Sequence, residues 1–236
     1  MGSLEPCGLA QALCQQVRLS KTTMAVKSDE QTLTFDELHL KALYLAAQIL
    51  QKGLPVQSPI AVLSPRGINH IVSQVAVIYA GGYCVPLDIR QPDGYLNQLL
   101  SRLSCRLVIT DPERQERLSQ YDHLVANHEE INAHCKAQTA ETVISSNGPD
   151  ALTHIFHTSG TTGTPKAVQL HAEGIMSRAY HGLHPIERGE RFAQVSNITF
   201  DASILDIWVP LLAGAAVVII PQDVPLDPEA FSKRLR

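Results

Sequence analysis

Apolar residues follow two different spacings along the first half of the chain, and the two spacings alternate. A spacing of three to four residues is typical of amphipathic helices, and short continuous apolar runs are typical of buried strands. Together they predict helices over 9–17, 38–49, 68–78 and 95–103, and strands over 59–63, 83–87 and 106–110. Because strands alternate with helices, we expect a parallel sheet with helices on its faces.

The same alternation resumes after a polar stretch between 111 and 150, in which 120–141 is consistent with either a helix or a peripheral loop. The plainest linker is Ser145–Pro149. The second series predicts strands over 153–157, 167–170, 191–195 and 215–220, and helices from 172, over 202–212 and from 228. The fold class is therefore α/β, with parallel β-sheets flanked by helices. We expect a first subdomain over 1–145 and the start of a second over 146–236.

Helix ends are marked by specific residues. Thr34 followed by Glu37 forms a capping-box pattern at the start of the second helix, and Gly53 follows its end. Asp227 is predicted to be the N-cap of the last helix, with Pro228 at its first position. That helix is still running at Arg236, so we expect an incomplete fold that is truncated at its C-terminus.

Composition narrows the classes of partner. The net charge of −4 lacks the basic excess of nucleic-acid binders, and no apolar stretch is long enough to span a membrane. Five cysteines without a CxxC spacing favour reduced thiols over disulfides or a zinc site. The first residues lack the pattern of a signal peptide. These features predict a cytoplasmic protein without a nucleic-acid or membrane partner.

A loop of glycine, serine and threonine follows the strand predicted over 153–157. It runs from Thr158 to Lys166 and is rich in hydroxyl groups and accessible backbone amides, which bind phosphate. It is not a Walker A loop, because Thr164 and Pro165 separate the last glycine from the lysine and Ala167 follows the lysine. Such a run is either an ordinary surface loop or a phosphate-binding loop.

Four segments resemble the motifs of the adenylate-forming superfamily, and they occur in the expected order. Thr158–Val168 resembles its phosphate loop, with Ala167 where glycine is usual. The others are Leu33–Leu38, which resembles the early helix-opening motif; Tyr79–Asp88, in the form typical of peptide synthetases; and Phe200–Ser203, which resembles the motif opening the substrate pocket. The chain is thus most similar to the N-terminal part of a nonribosomal peptide synthetase adenylation domain, with the acetyl-CoA synthetase-like adenylation fold.

The resemblance implies an activity and its ligands. In this family a carboxylate attacks the α-phosphorus of ATP, giving an acyl-adenylate and pyrophosphate, with Mg2+ present. The residues expected to contact the ATP phosphates are Thr158, Ser159, Gly160, Thr161, Thr162, Gly163 and Lys166. The acidic metal ligand and the C-terminal catalytic lysine are expected beyond Arg236. No catalytic residue is therefore assigned within the chain.

Asp201, Ala202 and Leu205 are the substrate-binding candidates. From the residues alone, Asp201 is an N-cap of the following helix. The resemblance implies instead a buried carboxylate that pairs with the ammonium group of an α-amino acid. Leu205 lies one helical turn after Asp201 and shares its face. Most specificity-determining positions are expected after Arg236, so the substrate side chain is not predicted.

Three functions remain as alternatives. The first is activation of an α-amino acid within a peptide synthetase-like protein, whose partners are the acid, the missing C-terminal half and, where the full protein has one, a carrier domain. The second is a non-catalytic truncated relative that binds nucleotide or a partner. The third is an acyl- or aryl-CoA ligase, against which Asp201 argues. We expect the 236-residue chain alone to show no amino-acid-dependent ATP–pyrophosphate exchange.

Four other residues are interpreted as structural rather than functional. His154 and His157 are three residues apart in a predicted strand, so they face opposite sides and do not share a metal ion. Asp88 is interpreted as a turn or cap residue, and Trp208 as a core residue.

Overall fold

The computed structural model describes residues 7–125, 131, 144–158, 166–182, 185–221 and 228–235. The helices are α1 (Leu9–Ser20), α2 (Phe35–Gln51), α3 (Ile68–Tyr79), α4 (Asp93–Arg102), α5 (Ala172–His181), α6 (Ser203–Ala213) and α7 (Pro228–Leu235). The strands are β1 (Met24–Lys27), β2 (Thr32–Thr34), β3 (Pro59–Leu63), β4 (Tyr83–Leu87), β5 (Leu107–Thr110), β6 (Asp122–Val125), β7 (Leu152–Thr158), β8 (Lys166–His171), β9 (Arg191–Gln194) and β10 (Ala216–Ile219).

The strands form two sheets. The six-stranded sheet has the order β6-β5-β3-β4-β7-β8, and the four-stranded sheet has the order β2-β1-β10-β9. All pairs are parallel except β7 with β8 and β1 with β2, which are antiparallel. The predicted α/β class with parallel, helix-flanked sheets is confirmed. Both antiparallel pairs join consecutive strands by short connections, which the hydrophobic pattern alone does not distinguish from crossovers.

Residues of β3 show how helices come to cover both faces of the six-stranded sheet. Ile60 and Val62 point into the large core, which also receives buried residues of α1, α2, α3, α5, α6 and the four-stranded sheet. Ala61 and Leu63 point into a smaller core against α4. Successive strand residues face opposite sides, so a strand covered on both faces is apolar at every position.

Strands from the two halves of the chain are mixed within each sheet. β7 and β8 complete the six-stranded sheet, whereas β1 and β2 belong with β9 and β10 in the four-stranded sheet. The division between 1–145 and 146–236 stays a prediction about the order of the chain and coincides with neither sheet. β1, β2 and β6 were not predicted.

The predicted helix ends are largely confirmed. Thr34 accepts a hydrogen bond from the Glu37 amide at 3.2 Å, and the Glu37 carboxylate accepts one from the Thr34 amide at 2.8 Å. The last helix begins at Pro228, while Asp227 lies outside the described residues. Of the helices described, none is both long and apolar enough to cross a membrane. The four cysteines within the described ranges are free thiols.

Candidate functional site

The predicted phosphate loop connects β7 and β8, which pair as an antiparallel hairpin. Their register places Thr158 opposite Lys166, so these two residues flank the start and end of the loop. Ser159, Gly160, Thr161, Thr162 and Gly163 lie outside the described residues. Because β7 is parallel to β4, Thr158 is at the carboxyl edge of the sheet, where open α/β sheets bind ligands.

His157 lies beside the base of this loop. It pairs with Ala167 across the hairpin, and both line a cavity of about 220 Å³ with Tyr95 and Arg102 of α4. Burial lowers the pKa of His157, and the nearby Arg102 lowers it further. His157 is half-buried, whereas His154 is completely buried. His157 thus lies next to the start of the predicted phosphate loop.

Asp201, Ala202 and Leu205 line one groove of about 560 Å³ between β8, α5 and α6. The other lining residues are Gln169, Leu170 and His171 of β8, Gly174, Ile175 and Arg178 of α5, and Ile204 of α6. The sequence therefore identified three residues that the fold brings together in one place. β8 begins at the predicted phosphate loop, and Gln169 is three residues after Lys166, about 10 Å along an antiparallel strand. The groove is thus close to the loop.

The N-cap interpretation of Asp201 is wrong. The helix begins at Ser203 with Ala202 as its N-cap, and no side chain caps it. The Asp201 carbonyl accepts a hydrogen bond from the Ile204 amide at 3.0 Å, so only its backbone takes part in the turn.

The burial expected for the Asp201 carboxylate is also not observed, since this residue is exposed. The walls of the groove that the structure describes come from β8, α5, α6 and the two residues before α6, and Leu205, which lines it, is 42% exposed. The groove is open on one side within the described part of the chain.

A buried polar network lies behind the hairpin and links three elements. The Gln74 amide of α3 donates to His70 Nε2 at 2.8 Å, and His70 Nδ1 lies 3.1 Å from the Ser64 hydroxyl. The Gln74 carbonyl oxygen accepts from Trp208 Nε1 at 2.8 Å and lies 3.2 Å from His154 Nε2. The sequence did not reveal this network, because its members are far apart in the chain.

Burial keeps the two histidines of this network neutral. It lowers the pKa of His154 to about 3, with a smaller contribution from the nearby His70. It lowers the pKa of His70 to about 4, again with a smaller contribution, from Arg66. The His154 ring also stacks on Phe156, with ring centroids 5.8 Å apart. Trp208 is a core residue, as predicted, and its indole N–H adds a hydrogen bond.

Asp88 follows β4 and forms a turn, as predicted. Its carboxylate accepts a hydrogen bond from the Arg90 amide at 2.9 Å and pairs with the Arg90 guanidinium at 2.6 Å. These bonds hold its pKa below the usual value, and a hydrogen bond from the Asn197 side chain lowers it further. The described residues contain no group of three metal-ligating side chains.

Comparisons with known proteins agree on one family. The sequence profile described as "AMP-binding enzyme" matches residues 13–236. The nonribosomal peptide synthetase asaC of Aspergillus flavus is 35% identical, over 99% of this chain and 23% of that protein. The aldehyde reductase lnbA of the same organism is 36% identical, over 93% of this chain and 22% of that protein. The chain thus spans less than a quarter of these relatives.

A solved structure gives the same fold. The N-terminal subdomain of NpsA from Klebsiella oxytoca, in complex with 3-hydroxyanthranilyl-AMSN, superposes with a TM-score of 0.81. The match covers 97% of this chain and 57% of that chain, at 23% identity. This likeness shows that the two chains share a fold.

Proposed function

Because the chain belongs to the AMP-binding enzyme family, we propose that it serves an adenylation domain that activates an α-amino acid. In this reaction a carboxylate oxygen of the acid bonds to the α-phosphorus of ATP, and pyrophosphate leaves. The product is an aminoacyl-adenylate, an activated acyl group for a later transfer or reduction.

The ATP phosphates bind at the turn of the β7–β8 hairpin in this proposal. Support comes from the hydroxyls and glycines of the turn and from the register that sets Lys166 opposite Thr158 at its base. Backbone amides and hydroxyls held at a sheet edge stabilise the charge on pyrophosphate as it leaves. Mg2+ accompanies ATP and neutralises part of that charge.

The amino acid binds in the groove that contains Asp201, Ala202 and Leu205. The observation that carries this assignment is that all three line the same groove beside β8, the strand that leads away from the phosphate turn. Asp201 has no capping role and its carboxylate is available for a substrate ammonium group. Leu205 offers apolar surface one helical turn away.

The test uses a protein that carries this chain within a complete adenylation domain. ATP–pyrophosphate exchange is measured with a panel of L-amino acids, with their analogues that lack the α-ammonium group, and with aryl acids. We expect exchange with at least one amino acid and a preference of roughly 10- to 100-fold over its deaminated analogue, as a charge-assisted hydrogen bond provides. Aryl acids preferred over all amino acids would instead support an aryl-acid ligase.

The variant Asp201→Asn should abolish most of that preference without a comparable change in the KM for ATP. Asp122→Asn is the matched control, because Asp122 is an exposed aspartate in β6, at the far edge of the six-stranded sheet. A retained preference for the amino acid in Asp201→Asn would contradict the assignment of the ammonium site.

A carrier domain is the proposed partner in the full protein. An acyl-adenylate needs a nucleophile that takes the acyl group, and the thiol of a carrier domain is one such acceptor. Reduction would be a later step on the same activated group, in line with the aldehyde reductase name of one relative. Either step follows the one proposed for this chain.

A further inference from the structure

The segment that carries Asp201 follows the carboxyl end of β9 in the four-stranded sheet and leads into α6. It runs from Val195, directly after β9, to Ala202, directly before α6. Its position decides where the Asp201 carboxylate lies in the groove. We call 195–202 the substrate segment.

Arg66 reaches this segment from the other sheet. It follows the carboxyl end of β3, and one nitrogen of its guanidinium donates to the carbonyls of Val195 and Ser196, both at 2.7 Å. The second nitrogen donates to the Ile220 carbonyl after β10, also at 2.7 Å. A planar guanidinium can satisfy three carbonyls at once because its donors are fixed in a fork.

Asp206 holds the same two residues through their amides. Its carboxylate accepts hydrogen bonds from the Val195 amide at 3.0 Å and the Ser196 amide at 2.7 Å. The backbone at Val195 and Ser196 is therefore held on its carbonyl side by Arg66 and on its amide side by Asp206. We call these contacts of Arg66 and Asp206 the clamp. Such charge-assisted hydrogen bonds are stronger than neutral ones.

The rest of the substrate segment is organised by its own hydrogen bonds. Asn197 Oδ1 accepts from the amide and the hydroxyl of Thr199, both at 3.1 Å. The buried Ser203 hydroxyl donates to the Phe200 carbonyl at 2.7 Å. Hydrogen bonds thus hold both the start and the interior of the segment that carries Asp201.

We infer that Arg66, with Asp206, is a positioning residue that fixes the substrate segment and so sets the affinity for the acid. This inference rests on the proposed function only for the identity of the ligand, because the clamp itself is independent of catalysis. A carboxylate displaced by a small distance loses much of its effect on a bound substrate. The affinity for ATP should be unaffected, since the predicted phosphate turn follows β7 and precedes β8, whereas Arg66 donates to carbonyls that follow β9 and β10.

The clamp is tested first in the 236-residue chain by hydrogen–deuterium exchange. The variants are Arg66→Met, which keeps the aliphatic stem, and Arg66→Lys, which keeps the charge but not the fork. We expect amide exchange in 195–202 to rise about tenfold in Arg66→Met and less in Arg66→Lys, as the loss of net hydrogen bonds implies. Asp206→Asn should also raise the exchange of the Val195 and Ser196 amides.

Arg117→Met is the matched control. Arg117 also donates to two backbone carbonyls, of Ile89 at 2.6 Å and Gln91 at 2.8 Å, but in the connection between β4 and α4. It should raise exchange there and not in 195–202. Unchanged exchange in 195–202 of Arg66→Met, or an equal rise throughout the chain, would overturn the clamp.

The consequence for binding is tested in the protein with a complete adenylation domain. Arg66→Met should raise the KM for the amino acid about tenfold, with the KM for ATP within about twofold and partial rescue in Arg66→Lys. An active protein with an unchanged amino-acid KM would refute the positioning role alone. If the unmodified protein shows no acid-dependent exchange, the proposed function fails, and the amide-exchange result still decides whether Arg66 holds the segment.

Discussion

Two buried histidines at the β7–β8 hairpin and in α3 make the stability of the fold depend on pH. His154 and His70 are completely buried, and among the described residues neither faces a carboxylate that would stabilise its charged form. The groups with which they interact are neutral side chains, each other and Arg66, whose positive charge also disfavours protonation. Both imidazoles are therefore held neutral in the folded chain.

This neutrality predicts acid destabilisation. The folded pKa values, about 4 for His70 and about 3 for His154, lie below the ordinary value of 6.5. The unfolded chain therefore binds protons first, so the stability from these histidines is present above pH 6.5 and lost as the pH falls toward 4 and 3. We expect the free energy of unfolding to fall by about 1.4 kcal/mol per pH unit for each histidine. Urea titrations followed by the fluorescence of Trp208 measure it.

The variant His154→Gln removes one of these two histidines and should reduce the slope of the free energy of unfolding against pH by about 1.4 kcal/mol per pH unit below pH ~6. Glutamine keeps a side-chain donor for the Gln74 carbonyl oxygen. His123→Gln, at the edge strand β6, controls for the general cost of removing a histidine. A slope that is the same in His154→Gln and the unmodified chain would show that His154 does not contribute.

The turn between α3 and β4 packs closely against the start of β3. Gly81 has a positive φ of 81°, a backbone conformation that favours glycine. A Cβ atom on Gly82 would lie 2.8 Å from Ile60 Cδ1 and 3.1 Å from the Ser58 carbonyl oxygen. This close approach explains why the motif Tyr79–Asp88 contains two consecutive glycines.

Gly82→Ala should therefore destabilise the chain by roughly 1–3 kcal/mol, because the added methyl group displaces a core side chain and a backbone carbonyl. Gly94→Ala is the matched control, since no heavy atom lies within 4 Å of a Cβ there and alanine favours the helix α4. We expect this control to leave the urea midpoint unchanged or to raise it. Equal midpoints for the two variants would refute the steric explanation.

At the scale of the whole molecule, several exposed apolar residues lie on the segments that form the groove. Phe200 is 46% exposed, Leu205 42% and Tyr180 on α5 43%. Leu205 lines the groove, Phe200 directly precedes Asp201, and Tyr180 lies on α5, which forms one wall. Apolar surface of this kind favours association in solution.

Replacement of Phe200 and Leu205 by serine should raise the concentration at which the 236-residue chain stays monodisperse. Light scattering after gel filtration over a concentration series measures the change. Leu19→Ser is the control, because Leu19 is 62% exposed but lies on α1 and does not line the groove. If Leu19→Ser raised this concentration more than the Phe200 and Leu205 variants did, the surface responsible for association would lie elsewhere.

Local patterns in the sequence determined most of the elements and the family. The apolar runs gave β3 and β4 at their observed bounds, and Thr34 with Glu37 gave the start of α2, because strand burial and helix capping depend on neighbouring residues. The phosphate-turn motif and the three other motif segments gave the family, which the comparisons confirm.

Tertiary structure decided what depends on residues distant in the chain. It placed β1 and β2 beside β10 and β9, and it joined Gln74, His154 and Trp208 in one buried network. It also brought Arg66 to the substrate segment from the opposite sheet. No local period encodes such contacts, because they join residues that are distant in the chain and that meet only in the folded structure.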